Sequence, residues 1–470
     1  MKAFLAIVNQ TMRSAIRAKV FHVLFALIIL AVFFLPMTVS GDGTANGLVQ
    51  ISLTYSLGIV VVLISSTTLW LSCSQLSREV EAYNIHLVVT KPCPKWKLWF
   101  GKWTGIFIMH AVILLVSMGL IFALIQFRMK YLEKTGRFTK EEIAKLDHEV
   151  RVGRREFHPI REELNKEIDK FYAEHQKEIR EANMTEEEAK ERVRTILTGQ
   201  KMEIKPDGFR TWTYRGIAGK GDIIYLRYRV YSGSTSAMDQ KDMPCIWGIK
   251  NPNAPPNVVD PYVNEFFKVM GGTFQELQLS KDFVNKNDGN SLTVRYVNPP
   301  QEGWGEVKAS SAMFQQSDGP ILMVEVTSFA NNYCRAALLA LMLIGFLAAL
   351  GCTVSAAFSV PVAAFVAIAY LVIGLTVQAA ITAPLQNEDG SYVYKNAAER
   401  VAHHMARVIG TIVVSVDDLD ATSDLARGRL VEGSRLVHNV VFLVLLRTGL
   451  MAAIGIWILN KRELGLVIRK

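Results

Sequence analysis

The chain has 470 residues, 50% of them hydrophobic and 20% charged, with a formal net charge of +9. A mean hydropathy of +0.21 at that charge content excludes one uniformly mixed soluble core and predicts membrane spans joined to a polar domain. The positive balance fits lysine and arginine at the ends of spans, and with no basic patch interleaved with stacking aromatics, nucleic acid is not an expected partner.

The first element is an amphipathic helix. Phe4, Val8, Met12 and Ile16 fall at i, i+4 spacing, with Arg13 and Arg17 on another face. That pattern suits a membrane surface carrying anionic lipid heads, so membrane lipid is one expected partner. A span needs roughly 20 apolar residues. Six runs qualify, at Val20–Val39, Gln50–Ser72, Thr104–Phe127, Tyr333–Val354, Pro361–Ala383 and Val437–Leu459. The first reads as a retained signal anchor, since no small-residue cleavage site follows it. The fourth and fifth are joined by the tight turn Ser355–Pro361.

Charge sets the expected orientation. The N-terminal segment, the second-to-third connection and the C-terminal tail are all basic, whereas the loop Ser40–Gly47 has an acid and no base. Both termini are therefore expected in the cytoplasm of a multi-pass inner (plasma) membrane protein. The expected domains are 1–127 (interfacial helix and spans one to three), 128–330 (a large extracytoplasmic domain) and 331–470 (spans four to six, with an extracytoplasmic loop at 384–436).

The fold class expected is an α-helical polytopic membrane protein with an α+β domain inserted between spans three and four. In that insert, Thr139 with Glu142 and Thr185 with Glu188 form capping boxes, and Phe138 can staple onto Ile143. Pro159 fits a first helical turn between them, and two or three helices, as a projecting hairpin, are expected. Beyond about residue 203 the period becomes two. Ile224, Leu226, Tyr228 and Val230 share one strand face, and Tyr225, Arg227, Arg229 and Tyr231 the other. Leu292, Val294 and Tyr296 repeat the pattern after the turn signal at Asn287–Gly289. Short strands separated by Gly, Pro and Asn predict a β-sandwich, whose role, in binding or in docking, the fold leaves open.

Residues able to do chemistry are few. No P-loop is present, because the nearest cluster, Gly216–Asp222, lacks the spacing. The five cysteines are scattered without a C-x-x-C pair. Adjacent His403 and His404 point apart on a helix and read as polar surface rather than as metal ligands. No nucleophile–base or paired-carboxylate arrangement is identifiable, so neither enzyme activity, cofactor nor metal is expected. Two ionisable residues lie inside spans, His110 and Arg447. Such residues usually face a protein interior or a water path. His110 can stay neutral and bond a neighbouring helix; for Arg447 a functional role and a structural pairing are both open.

The connection Arg78–Lys102, REVEAYNIHLVVTKPCPKWKLWFGK, is the most informative stretch. It resembles the signature of ABC transporter permeases of the second exporter type: an acidic residue, an apolar run, a proline, a basic residue and a Gly-Lys opening the third span. Glu79, Ile85–Val89, Pro92, Lys95 and Gly101-Lys102 occupy those positions, and Tyr83-Asn84 stands where the family has Gly-Thr. The interfacial helix, the tight turn after span four and Arg462-Glu463 in the tail extend the resemblance over both membrane halves but not over the insert. Permeases of nitrous-oxide-reductase maturation and gliding motility are the subgroup it looks most like.

The resemblance implies a second permease copy or homologous permease and two separate ABC ATPase subunits as partners. It implies ATPase docking through a short cytoplasmic helix carrying Glu79, Glu81, Ile85, Leu87, Pro92, Lys95, Gly101 and Lys102. Trp96, Trp99 and Trp103 would anchor that element at the interface, and Lys102 would snorkel to headgroups. Two rival readings stay open: a permease-like transmitter of force to an envelope partner through 128–330, and a membrane-anchored ligand-binding receptor.

Overall fold

The computed structural model describes residues 2–17, 19–38, 45–81, 94–136, 138–160, 164–176, 186–233, 243–255, 257–300, 310–315, 319–382, 397–414 and 419–461. In chain order the helices are α1 (Lys2–Arg17), α2 (Lys19–Thr38), α3 (Ala45–Glu81), α4 (Lys95–Lys134), α5 (Lys140–Glu149), α6 (Leu164–Glu174), α7 (Glu186–Met202), α8 (Phe329–Ala357), α9 (Val360–Thr382), α10 (Ala397–Ile412), α11 (Thr422–Ala426) and α12 (Gly433–Lys461). Between α5 and α8 run the strands β1 (Val152–Phe157), β2 (Glu203–Ile204), β3 (Phe209–Tyr214), β4 (Ile223–Arg229), β5 (Tyr231–Ser232), β6 (Met243–Lys250), β7 (Tyr262–Val269), β8 (Phe274–Ser280), β9 (Leu292–Val297), β10 (Ala312–Met313) and β11 (Ile321–Ser328). The chain divides into two compact units. One holds Met1–Gly153, Thr327–Thr382 and Ala402–Lys470, and the other Arg154–Val326 and Ala383–Val401.

The first unit is helical. Among the described residues, five of its helices are long and apolar enough to cross a membrane: α3, α4 to Tyr131, α8, α9 and α12. The segments Lys2–Arg17 and Phe21–Phe34 meet at 67° and count as a sixth if taken as one bent span. The central pillar is α8, with 78% of its most apolar window buried against 17% for α9 and 22% for α12. Small residues let it approach α3: no Cβ fits at Gly351 beside Ser72, and the Ser77 hydroxyl donates to the carbonyls of Ser355 (3.2 Å) and Phe358 (2.8 Å). Polar groups inside such helices must be satisfied within the protein. Accordingly Thr67 and Thr68 bond back to Leu63 and Ile64, and the Tyr333 hydroxyl reaches the Met118 carbonyl at 2.7 Å.

Helix ends depart from the hydropathy limits. α3 continues past Ser72 to Glu81, and α4 starts at Lys95 rather than near Thr104. No proline or glycine interrupts Ser72–Glu81, so the helix runs on once its apolar part has nucleated it. α4 starts directly after Pro94, whose φ of −58° and ψ of 136° are extended. The tight turn after α8 is as expected, with only Phe358 and Ser359 between α8 and α9. The expected boundary at 128 falls inside α4. α5 has the anticipated Thr139–Glu142 capping box, yet it belongs to the helical unit, because Leu146 and Val150 are buried in its core. Phe138 packs against that same core. Thr185 lies outside the described residues.

The loop expected at 384–436 is also different. Its described part carries α10 and α11, and Val414, Leu419, Ala421, Leu425, Ala426 and Val431 are buried in the core of the helical unit. Asn332, fully buried on α8, clamps this segment as a backbone would: its amide donates to the Arg429 carbonyl (2.7 Å) and accepts from Val431 N–H (2.8 Å).

In the second unit, two four-stranded sheets, β1-β11-β4-β8 and β3-β9-β6-β7, share one core, beside a small sheet β2-β10-β5. The pairings β4 with β8 and β11, β3 with β9, and β6 with β7 and β9 are antiparallel. The period-two reading holds for the core faces, with Ile224, Leu226, Tyr228 and Val230 buried from one sheet and Leu292, Val294 and Tyr296 from the other; Tyr225, on the opposite face of β4, is buried as well. Trp247 sits between them against Trp212, Tyr228, Tyr296 and Phe314. The turn at Asn287–Gly289 is built with Gly289 at φ +57°. α6 and α7 pack on each other through an ion pair of Lys190 with Asp169 (3.0 Å).

Candidate functional site

The Arg78–Lys102 connection is built largely from helix ends. Glu79 and Glu81 sit on the last turn of α3, and Lys95–Lys102 form the first two turns of α4. Ile85, Leu87 and Pro92, with Tyr83-Asn84, lie outside the described residues.

Lys102 and Glu79 form an ion pair with each other, with side-chain exposures of 2% and 17%. This corrects the expectation that Lys102 snorkels to headgroups. Its face of α4 turns toward α3, and a buried ammonium needs a counter-charge inside the protein. Glu79 is committed to that lysine, whereas Glu81 is exposed.

Lys95 has a different partner again. Its ammonium donates to the carbonyls of Leu459 (2.7 Å) and Asn460 (3.3 Å), at the last turn of α12. A lysine beside these carbonyls meets the negative end of the helix dipole.

Gly101 seats a third element. A Cβ on Gly101 would stand 2.7 Å from Ile7 Cγ2, and one on Gly105 would stand 2.8 Å from Thr11 Cβ. The Gly101–Gly105 pair, four apart, therefore forms the groove in which α1 lies, and Ile7, Val8, Thr11 and Ala15 are its buried face. The spacing GKWTG was the available signal for Gly105.

The three tryptophans do not act alike. Trp96 is exposed, with Lys97 over its ring at 5.5 Å, as an interfacial anchor would be. Trp99 is buried instead and packs where Gly455 of α12 leaves room. Trp103 stacks on Trp99 and Phe107 and donates to the Gly345 carbonyl at 2.9 Å.

Of the two ionisable residues within apolar helices, His110 is buried and its Nδ1 lies 3.0 Å from the carbonyl of Ile106, one turn back on its own helix. Arg447 sits in a π-helical run, Val440–Thr448, and donates to the Gly410 carbonyl of α10 at 3.0 Å. His403 is buried and His404 exposed, which corrects the reading of both as surface. Among the described residues no group of three or more His, Cys, Asp or Glu is placed to hold a metal ion.

α3, α4 and α12 end together, pinned by Glu79–Lys102 and Lys95–Leu459, with α1 laid across the glycines. Compared with protein-family models, curated proteins and solved structures, the chain matches none.

Proposed function

We propose that this chain is the membrane-spanning permease subunit of an ABC exporter, driven by a separate ATPase that docks on the connection between α3 and α4. In this reading α2, α3, α4, α8, α9 and α12 are the six spans, and α1 is an interfacial helix bent away from α2. The basic ends at Lys2, Arg78, Lys95, Lys97 and Lys461 would be cytoplasmic, and the β-sheet unit extracytoplasmic.

One observation supports it above the others: both flanks of residues 82–93 are fastened to the helix bundle. Glu79 is tied to Lys102, and Lys95 to the last turn of α12. A push on the connection would therefore move three helices and α1 together instead of bending a loop. Among the described residues of the connection, Arg78 and Glu81 are exposed and Lys97 half-buried, open to a partner, whereas Glu79, Lys95, Gly101 and Lys102 act as internal braces.

Copurification from native membranes tests the reading. An ATPase subunit should accompany the chain, and E81K should reduce its recovery while leaving the chain monodisperse. Finding no ATPase with the unaltered chain would sink the exporter reading and favour a membrane-anchored receptor. Full recovery with E81K would move the docking contact elsewhere.

A further inference from the structure

We infer that β7 is the seam between two copies of this chain: it pairs antiparallel with β7 of the second copy and joins two four-stranded sheets into one. The inference deepens the permease reading, which calls for a paired half, but it stands on the strand itself and not on an ATPase.

Among the described residues β7 ends its sheet, in the order β3-β9-β6-β7. Tyr262–Val269 pairs with β6 without a break, and no proline falls within it. Val263, Glu265 and Phe267 stand opposite Ile249, Trp247 and Cys245, whose side chains are buried, so they lie on the core side of the sheet. Yet Val263 is 43% exposed and Glu265 is exposed too, so β7 overhangs the sandwich. Phe266, on the other face, is 42% exposed. The opposite edge of the same sheet is partly covered, because the Thr213 carbonyl of β3 accepts the Ile160 N–H at 2.8 Å. A long, unbroken edge with apolar residues on both faces is a template for another strand, and natural sheets blunt such edges unless they use them.

The residues of β7 select the occupant. Two copies that extend one sheet are related by a two-fold axis perpendicular to it, so every residue keeps its face. Faces alternate along a strand, and the axis must therefore pass through a residue rather than between two. An axis at Glu265 or Lys268 sets like charges directly opposite each other, which is destabilising. An axis at Asn264 or Phe267 pairs only 262–266 or 265–269 within the strand. An axis at Phe266 pairs 263–269 and opposes no like charges. Phe266 then meets its own copy, Val263 meets Val269, Glu265 meets Phe267, and Asn264 meets Lys268. Just outside, Tyr262 meets Met270, which is 55% exposed. Apolar pairs close both faces, and the Lys268 ammonium gains the Asn264 amide oxygen. Arg295, which also bonds that oxygen at 3.3 Å, has its charge matched by Asp260.

Oxidative cross-linking of the full chain in native membranes tests this. F266C lies on the axis and should give a covalent dimer, which peptide mapping separates from links through native cysteines. K268C stands about 14 Å from its symmetry mate at the rise of a strand and should not cross-link. N264E with K268E sets two acids opposite each other on both sides of the axis and should lower the F266C yield several-fold. N264E alone faces Lys268, still accepts from Arg295, and should keep the yield. Hydrogen exchange reads the seam without a cysteine. In the unaltered chain the peptide 262–270 should exchange slowly throughout, because a strand bonded on one side only leaves every second amide open. N264E with K268E should release that protection. Fast exchange at alternate amides, or slow exchange that N264E with K268E leaves unchanged, overturns the inference. So does an absent F266C cross-link in a chain that native mass spectrometry shows to be paired, and the exporter reading then stands on another contact. A link from F266C to a different protein overturns it in favour of a partner's strand. A cross-linked dimer that brings down no ATPase supports the seam and counts against the exporter reading alone.

Discussion

Lys102 and Glu79 are joined in a buried ion pair although they sit on different helices and flank the connection between them. Removing one partner leaves an uncompensated buried charge, which typically costs about 3–5 kcal/mol. K102M should therefore destabilise the detergent-solubilised chain strongly, lowering its unfolding temperature. The double change K102M with E79M should recover much of that loss. A double variant as unstable as the sum of the singles would mean the two side chains act independently.

The seat of α1 predicts a rescue. G101A forces Ile7 to move, an overpacking penalty of about 1–3 kcal/mol. Its N-terminal helix should lift, so trypsin should cleave at the exposed Arg13 and Arg17 several-fold faster. I7A combined with G101A should restore slow cleavage. Unchanged cleavage in G101A would show that the glycine is not what admits α1.

Arg295 fixes the start of β7, bonding Asp260 at 2.6 Å and lying over the Tyr262 ring at 4.0 Å. The hydrogen bond from Arg295 holds the Asp260 carboxyl below the usual carboxylate range. The folded value is depressed, so the contribution is complete above the unfolded value of about 3.9 and is lost as pH falls through the folded one. Thermal unfolding of the full chain should therefore weaken below about pH 4. D260N should show a shallower fall over that window. Identical slopes would exclude Asp260 as a contributor.

Cys245 is fully buried in the core shared by the two sheets, near the Tyr296 hydroxyl, and burial pushes its thiol up to about 12. At pH 8 only about one thiol in ten thousand would then be ionised. Iodoacetamide should leave Cys245 unmodified in the native chain and alkylate it once detergent denaturation opens the core. Mass mapping of the alkylated peptide reads the outcome. Native-state alkylation would mean that this core opens readily.

The sequence alone determined what depends on near neighbours along the chain. Apolar runs marked α3, α4, α8, α9 and α12 as helices able to cross a membrane. Period-two alternation named the buried face of β4 and β9, because successive strand residues face opposite sides whatever lies across from them. The Thr139–Glu142 box was legible because capping is a three-residue interaction.

Tertiary structure decided the rest. Glu79 reads as a surface acid until Lys102, 23 residues away, is seen to meet it. Lys95 bonds a carbonyl 364 residues distant, and Arg447 bonds one 37 residues before it. The stretch 384–436 reads as a loop outside the spans, yet Val414, Leu419, Ala421, Leu425, Ala426 and Val431 in its described part are buried in the helical core, because local composition does not register which helix surfaces will receive them. Such contacts follow from which helices pack together. Several of the charges singled out in the sequence proved to be fasteners of the helical unit, because a buried charge or unpaired carbonyl takes the nearest partner the packing supplies.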